Sequence, residues 1–232
     1  LAASSRDGAL GVLVECDAGA GRNGVPSPAE AAALAGLIHH LPGLRFAGLM
    51  FYPITERTGE FARAALDEVK RAGLVCDVIS TGGTPSSVRL RSVPGVTEHR
   101  AGAYVFNDRS HVEAGWCTWE ECAMRIRTTV VSRPSPGRAI LDAGSKTLSS
   151  DLLGLRGYGY VVEYPGAVIA GLSEEHGILD LSACRRKPEV GEVVTVIPNH
   201  ACVVTNLHDS LVGVRRGRVE TVWRVQARGR VR

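Results

Sequence analysis

The hydrophobic pattern changes rhythm along the chain. Through the first hundred residues, short apolar runs alternate with longer stretches of helical spacing. Gly11–Cys16 (GVLVEC) is strand-like in length and branching. Pro28–His40 (PAEAAALAGLIHH) is Ala-rich with helical spacing, with Ser27 as N-cap and Pro28 at N1. Arg45–Tyr52 (RFAGLMFY) reads as a second strand, and Gly59–Ala72 (GEFARAALDEVKRA) as a second helix ended by Gly73. Leu74–Ile79 (LVCDVI) reads as a third strand, followed by a Gly-rich loop and a short helix over Ser86–Arg91. Strands alternating with helices imply parallel strands joined by crossovers, about half of a TIM-type (β/α) barrel.

From about Cys122 onward the pattern is one of short strands parted by Gly, Pro and charged turns: AMRIRTTVV, RAILDAG, GYVVEY, AVIAGLS, GILDLS, EVVTVI, ACVVTN, LVGVR and VETVWRV. That is an all-β signature. The fold class expected is therefore α/β plus all-β: a partial TIM-type barrel over residues 1–115 and a C-terminal β-domain over 116–232. No internal repeat or low-complexity tract interrupts either part.

Composition narrows the function classes. Of 232 residues 44% are hydrophobic, as in a folded globular chain, and the formal net charge is only +3. That balance gives no electrostatic basis for a nucleic-acid partner or an anionic membrane surface. No apolar run approaches the roughly 20 residues that span a bilayer. The start, LAASSRDGAL, carries neither a signal peptide nor an initiating Met. Six cysteines are scattered without a CxxC pair, which points to a reduced, cytoplasmic compartment and to thiols used mostly as small buried apolar groups.

Several short motifs carry candidate chemistry. His200-Ala201-Cys202 opens an apolar run, and in a strand residues two apart face the same side. An imidazole and a thiolate converging there would suit zinc better than magnesium or calcium. From the tripeptide alone, a buried Cys beside a surface His explains the pattern more simply. Ser80-Thr81-Gly82-Gly83-Thr84-Pro85 follows a strand and precedes a helix, as a phosphate cup or a plain glycine turn would. Asp17–Gly24 also follows a strand, and Arg22 would project from that loop toward an anion or into solvent. Glu98–Asp108 alternates in a strand-like manner around Gly102. Asp142–Lys146 and Ser173–Gly177 are polar clusters at strand ends, in which Glu174 and His176 would serve as acid–base groups or as structural supports.

Taken in order, VECDAGAGRNGV, STGGTP, TEHRAGAYVFND, DAGSKTLSSD, LSEEHG and PNHAC resemble the family of D-threonine aldolase and eukaryotic-type D-serine dehydratase. These are fold-type III pyridoxal-phosphate (PLP) enzymes with an alanine racemase-like barrel. The resemblance covers nearly the whole chain and implies a PLP-binding barrel, a C-terminal β-domain and a homodimer. It places Thr84 and the Gly102-Ala103 backbone at the cofactor phosphate and Tyr52 against the cofactor. Arg22 falls near the ring oxygen or the substrate, in an assisting role. Pro53-Ile54 follow Tyr52 where the family often has Gly-His.

His200 and Cys202 become metal ligands on the same resemblance. His-x-Cys accompanies zinc in the dehydratase-like branch, whereas His-x-Asp accompanies manganese and similar divalent ions in the best-known aldolases. The implied reaction is a lyase reaction on a β-hydroxy D-amino acid. Dehydration of a D-serine-like substrate is the first expectation, and retro-aldol cleavage to glycine and an aldehyde the alternative. The family's Schiff-base lysine lies before any segment matched here. Lys70, Lys146 and Lys187 are poor substitutes for it. The chain therefore reads as a fragment of a longer enzyme that is inactive alone, or as a non-catalytic remnant. A metal-free racemase is disfavoured by the His-x-Cys pair.

Overall fold

The computed structural model describes residues 10–230. The first nine residues, which include most of the LAASSRDGAL start, and the last two lie outside the described residues. The chain divides into two units, Leu1–Tyr104 and Val105–Arg232. The expected boundary at 115/116 falls later than the observed one. The reason is local: the short helix α3 (Arg109–Glu113) is tied to the second unit, where the Arg109 N–H donates to Pro198 O at 3.0 Å.

The first unit is a parallel sheet of β1 (Leu10–Cys16), β2 (Leu44–Phe51), β3 (Val78–Gly82) and β4 (Glu98–Arg100), in that spatial order. Helix α1 (Pro28–His40) links β1 to β2, and α2 (Thr58–Arg71) links β2 to β3. Ser27 caps α1: its Oγ accepts from the Glu30 N–H at 3.3 Å, and its hydroxyl meets the Glu30 carboxylate at 3.0 Å. The first of these bonds satisfies one donor that the opening helical turn would otherwise leave bare. Ala31, Ala35 and Ile38 of α1 and Phe61, Ala62, Ala65 and Val69 of α2 share one buried cluster with Val14, Leu49 and Phe51 of the strands. Alanine on the buried face of α1 lets the helix lie close to the sheet. Gly48 permits a similar approach between strands, since a Cβ there would stand 1.9 Å from Val78 O.

Two expectations for this unit need correction. The third strand begins at Val78 rather than Leu74, because Gly73 turns left-handed (φ +73°) and the Leu74 N–H closes back onto Val69 O. Glu98–Asp108 is a strand only to Arg100. Beyond Gly102 the chain coils into a 3₁₀ turn, Ala103–Val105, because the Tyr104 N–H is taken by the Thr84 hydroxyl.

The second unit is a six-stranded antiparallel sheet with a separate hairpin. Its strands are β5 (Ile126–Ser135), β6 (Arg138–Leu141), β7 (Tyr160–Val161), β8 (Val168–Leu172), β9 (Gly177–Asp180) and β10 (Val193–Ile197), in the spatial order β7-β10-β5-β6-β9-β8. The hairpin pairs β11 (Ser210–Arg215) with β12 (Arg218–Arg224). Val130, Leu141, Val161, Ile169, Leu179 and Val196 build the sheet's core. The all-β expectation therefore holds for the sheet but fails at two helices. One is α4 (Ser145–Leu148), and the other is α5 (Ala201–Leu207), where ACVVTN was expected to be a strand. Ala201 and Val204, three residues apart, bury one face of α5 against Met124. The Asp108 carboxylate takes the Ala201 N–H at 2.8 Å, so a remote cap outweighs the β-preference of Val203 and Val204. Among the described residues, no helix is long and apolar enough to cross a membrane.

Candidate functional site

The candidate residues of the first unit all lie just beyond the C-terminal ends of the parallel strands. Arg22 follows β1, Tyr52 follows β2, Thr84 follows β3, and Gly102 and Ala103 follow β4. In parallel α/β sheets this is the edge at which ligand loops gather.

Each loop has a local cause. After β1, the Asp17 carboxylate accepts the N–H groups of Gly19, Ala20 and Gly21 at 2.7–3.1 Å. These bonds, led by that from Gly21, hold the carboxyl below its ordinary range against the opposing effect of desolvation. They engage three of the loop's amides, and the Arg22 side chain projects from the residue that follows. The Arg22 guanidinium lies 4.5 Å from the centroid of the Tyr52 ring and 3.2 Å from the Glu15 carboxylate. Arg100 lies 6.0 Å from the same ring. Its guanidinium donates to Ser80 Oγ at 2.9 Å and to Phe51 O at 3.2 Å. Tyr52, joined to Pro53 by a cis peptide, thus has two cations close to its ring.

The turn after β3 is built for close approach. A Cβ on Gly82 would come within 2.7 Å of the Tyr52 ring, and Gly83 is left-handed at φ +103°. Thr84 is buried, and its hydroxyl accepts from the Tyr104 N–H at 3.2 Å, which leaves one O–H to donate. Gly102 is open: nothing lies within 4 Å of where its Cβ would stand. One donor hydroxyl and an uncrowded glycine backbone fit a phosphate. Arg22 and the Tyr52 ring fit the aromatic, anionic body of PLP. The nearby His99 Nδ1 meets Thr81 Oγ1 at 2.9 Å, while its Nε2 is buried without a partner.

The second unit brings together a different set. His200 is the N-cap of α5 and Cys202 sits in its first turn. The same-face argument from a strand therefore does not apply here, and the two residues are instead neighbours at the start of one helix. The His200 imidazole is pushed up to about 9, first by a side-chain hydrogen bond with Cys202 and then, against burial, by the Asp151 carboxylate. His200 Nδ1 lies 2.6 Å from Asp151 Oδ2. The Asp108 carboxylate, fully buried, receives the Ser110 hydroxyl at 2.6 Å as well as the His111 and Ala201 N–H groups. Burial pushes the His111 imidazole down; Asp108 opposes this and the charge of His200 adds to it.

A soft two-donor pair fits a metal that keeps open positions for water or substrate. Among the described residues, no group of three or more His, Cys, Asp or Glu side chains is disposed to hold one. Asp108 and Asp151 escaped the sequence reading. Each closes a segment, TEHRAGAYVFND and DAGSKTLSSD, and that shared position was the available signal.

Other candidates settle into structural positions. Lys146 Nζ is 2.8 Å from both Glu174 and Glu175, so Glu174 is paired with lysine rather than with the exposed His176. Lys187 donates to Leu181 O, and Lys70 is exposed in the last turn of α2. Among the described residues, no lysine projects from a loop just beyond the C-terminal ends of β1–β4.

Comparison with known proteins agrees with both units. Residues 1–110 match the family described as alanine racemase, N-terminal domain, and residues 123–214 match the putative serine dehydratase domain. A D-threonine aldolase from Arthrobacter sp. is 34% identical over 240 residues, covering 95% of this chain and 61% of that protein. The crystal structure of D-threonine aldolase from Filomicrobium marinum superposes with a TM-score of 0.82 at 30% identity, covering 96% of this chain and 64% of that one. A cysteine-to-alanine mutant of a D-threo-3-hydroxyaspartate dehydratase, solved in the metal-free form, gives a TM-score of 0.79 at 29% identity, covering 93% of this chain and 66% of that one. Its native counterpart is from Delftia sp. HT23. The chain thus spans about three fifths of the Arthrobacter aldolase's length. With a segment matching the alanine racemase N-terminal domain followed by one matching the putative serine dehydratase domain, the chain is similar over nearly its whole length to D-threonine aldolases and to a D-threo-3-hydroxyaspartate dehydratase.

Proposed function

We propose that this chain is part of a PLP- and zinc-dependent lyase that acts on β-hydroxy D-amino acids by dehydration. The observation that carries the reading is the His200–Cys202 pair at the start of α5, with Asp151 on the imidazole. A thiolate beside an imidazole selects zinc over harder ions, and an incompletely filled coordination sphere leaves room for a substrate hydroxyl. The metal would act there as a Lewis acid, easing departure of the β-oxygen.

In the first unit, Thr84 and the Gly102-Ala103 backbone would hold the PLP phosphate, while Tyr52 and Arg22 would orient the ring. When bound, PLP supplies an electron sink for charge developing at the substrate α-carbon. The chain's own residues bind, orient and neutralise charge; Arg22 is the assisting cation, already held against Tyr52. Relatives named for both dehydration and aldol cleavage support a lyase of this class. Retro-aldol cleavage is the second reading, favoured by the 34% identity to an aldolase.

The test uses the full-length product of the gene, supplied with PLP and zinc and assayed on D-serine and D-threonine. Pyruvate and ammonia from D-serine are expected. Glycine and acetaldehyde from D-threonine, without pyruvate from D-serine, would replace dehydration by aldol cleavage. Turnover of neither would leave the non-catalytic alternative. Activity indifferent to both a chelator and Cys202→Ala would remove the metal from the mechanism.

A further inference from the structure

The carboxylate beside His200 is more than an incidental neighbour. Asp151 lies in the turn after α4, and its backbone is pinned on two sides. Its N–H donates to Ser149 Oγ at 3.2 Å, and its carbonyl accepts from Asn199 Nδ2 at 3.2 Å. Asn199 is itself buried, and the same Nδ2 donates to Gly157 O at 2.9 Å. Both carboxylate oxygens are engaged, Oδ1 by the Leu153 N–H at 3.3 Å and Oδ2 by His200 Nδ1 at 2.6 Å. Ser149 holds the turn at φ +64°, a conformation that few non-glycine residues adopt. A carboxylate fixed so completely is a rigid anchor for a ring.

We propose that Asp151 is a positioning residue of the candidate metal site, holding His200 by Nδ1 so that Nε2 is the nitrogen presented to the metal. This rests on the proposed metal role of His200 and Cys202. A histidine that ligates through one nitrogen commonly gives the other to a carboxylate, which fixes the ring and strengthens it as a donor. Here that partner comes from 49 residues away in sequence, inside the DAGSKTLSSD segment.

Cobalt(II) is the probe, titrated into the full-length chain and read by competition affinity and absorption. The wild type should bind the ion with a near-ultraviolet thiolate-to-cobalt band that Cys202→Ala abolishes. Asp151→Ala should weaken binding by about 10–100-fold, the usual effect of removing such a partner. The thiolate band per bound ion and the far-ultraviolet dichroism should both survive. Asp151→Asn keeps an oxygen that accepts the Nδ1–H and should recover much of the lost affinity. A merely structural role predicts loss of fold without this graded recovery. Wild-type affinity in Asp151→Ala, or Asp151→Asn no better than Asp151→Ala, overturns the assignment of Asp151. Wild-type protein with no Cys202-dependent cobalt band overturns the metal reading itself, a separate and recognisable failure.

Discussion

The two units hold their candidate residues by opposite means. In the first, Arg22, Tyr52, Thr84, Gly102 and Ala103 each sit a few residues past the strand that delivers them. Topology does the gathering: four parallel strands end on one edge, and the loops follow. In the second, the pair at His200 and Cys202 is built from distant partners. The His200–Asp151 contact joins residues 49 apart, and the Ala201–Asp108 contact joins residues 93 apart. A site made by sheet topology tolerates change in any one loop bond, whereas a site made by long-range polar contacts depends on each of them.

The largest expected effects test whether the units differ in their cores as well as in their sites. Phe51 is fully buried under α2, with its ring 5.9 Å from Phe61, and Leu179 is equally buried in the second unit. Phe51→Ala should cost about 3–5 kcal/mol and Leu179→Ala about 2–5 kcal/mol. Urea unfolding followed by far-ultraviolet dichroism measures the first. Tryptophan fluorescence follows the second, because Trp116, Trp119 and Trp223 all lie in that unit. Comparable losses would confine the contrast to the sites; a small loss at either residue would show that one core is loosely packed.

The next pair contrasts the caps. Ser27 closes the N-terminus of α1 from one residue away, and Ser27→Ala should cost about 1 kcal/mol. Asp108 is fully buried, caps α3 and also receives the N–H of Ala201 at the start of α5. Removing it strands several buried donors, so Asp108→Ala should cost about 3 kcal/mol, read as a fall in the urea midpoint. Equal losses from the two substitutions would break the distinction between local and long-range construction.

That distinction also explains what could be read in the sequence. Helix α1 runs over Pro28–His40 as its spacing and its Ser-Pro start indicate, because those rules act within one turn. Leu74–Asp77 misled as a strand because Gly73, at φ +73°, spends those residues on leaving the helix. Val203 and Val204 suggested a strand because β-branching is visible in sequence while the Asp108 cap is not. Asp151 offered no signal beyond its place at the end of DAGSKTLSSD, and only the fold sets it against His200.

A glycine offers a smaller test inside α1. Nothing lies within 4 Å of where a Cβ on Gly36 would stand, so this glycine costs the helix entropy without supplying a close approach. Gly36→Ala should raise stability by about 0.4–1 kcal/mol, seen as a higher melting temperature. Gly144→Ala offers the opposite in the second unit, since its Cβ would meet Ser173 O and Glu174 O at 2.4 Å. A loss there beside a gain at Gly36 would show which glycines hold long-range contacts.

The smallest effect is a pH dependence at the loop that carries Arg22. Asp17 is exposed, and the N–H groups of Gly21, Ala20 and Gly19 hold its carboxyl below the ordinary value of 3.8. A carboxyl depressed in the folded state stabilises the fold above its unfolded value, and that contribution is lost as pH falls through the lower, folded one. Asp17→Asn keeps the shape but not the charge. The wild type should therefore melt slightly higher than Asp17→Asn near neutral pH, and the gap should close below about pH 4. A gap that stays constant down to the acid limb would mean that the loop is held by its backbone alone. Arg22 would then owe its place over Tyr52 to Glu15 and the ring, not to the carboxylate at the start of its loop.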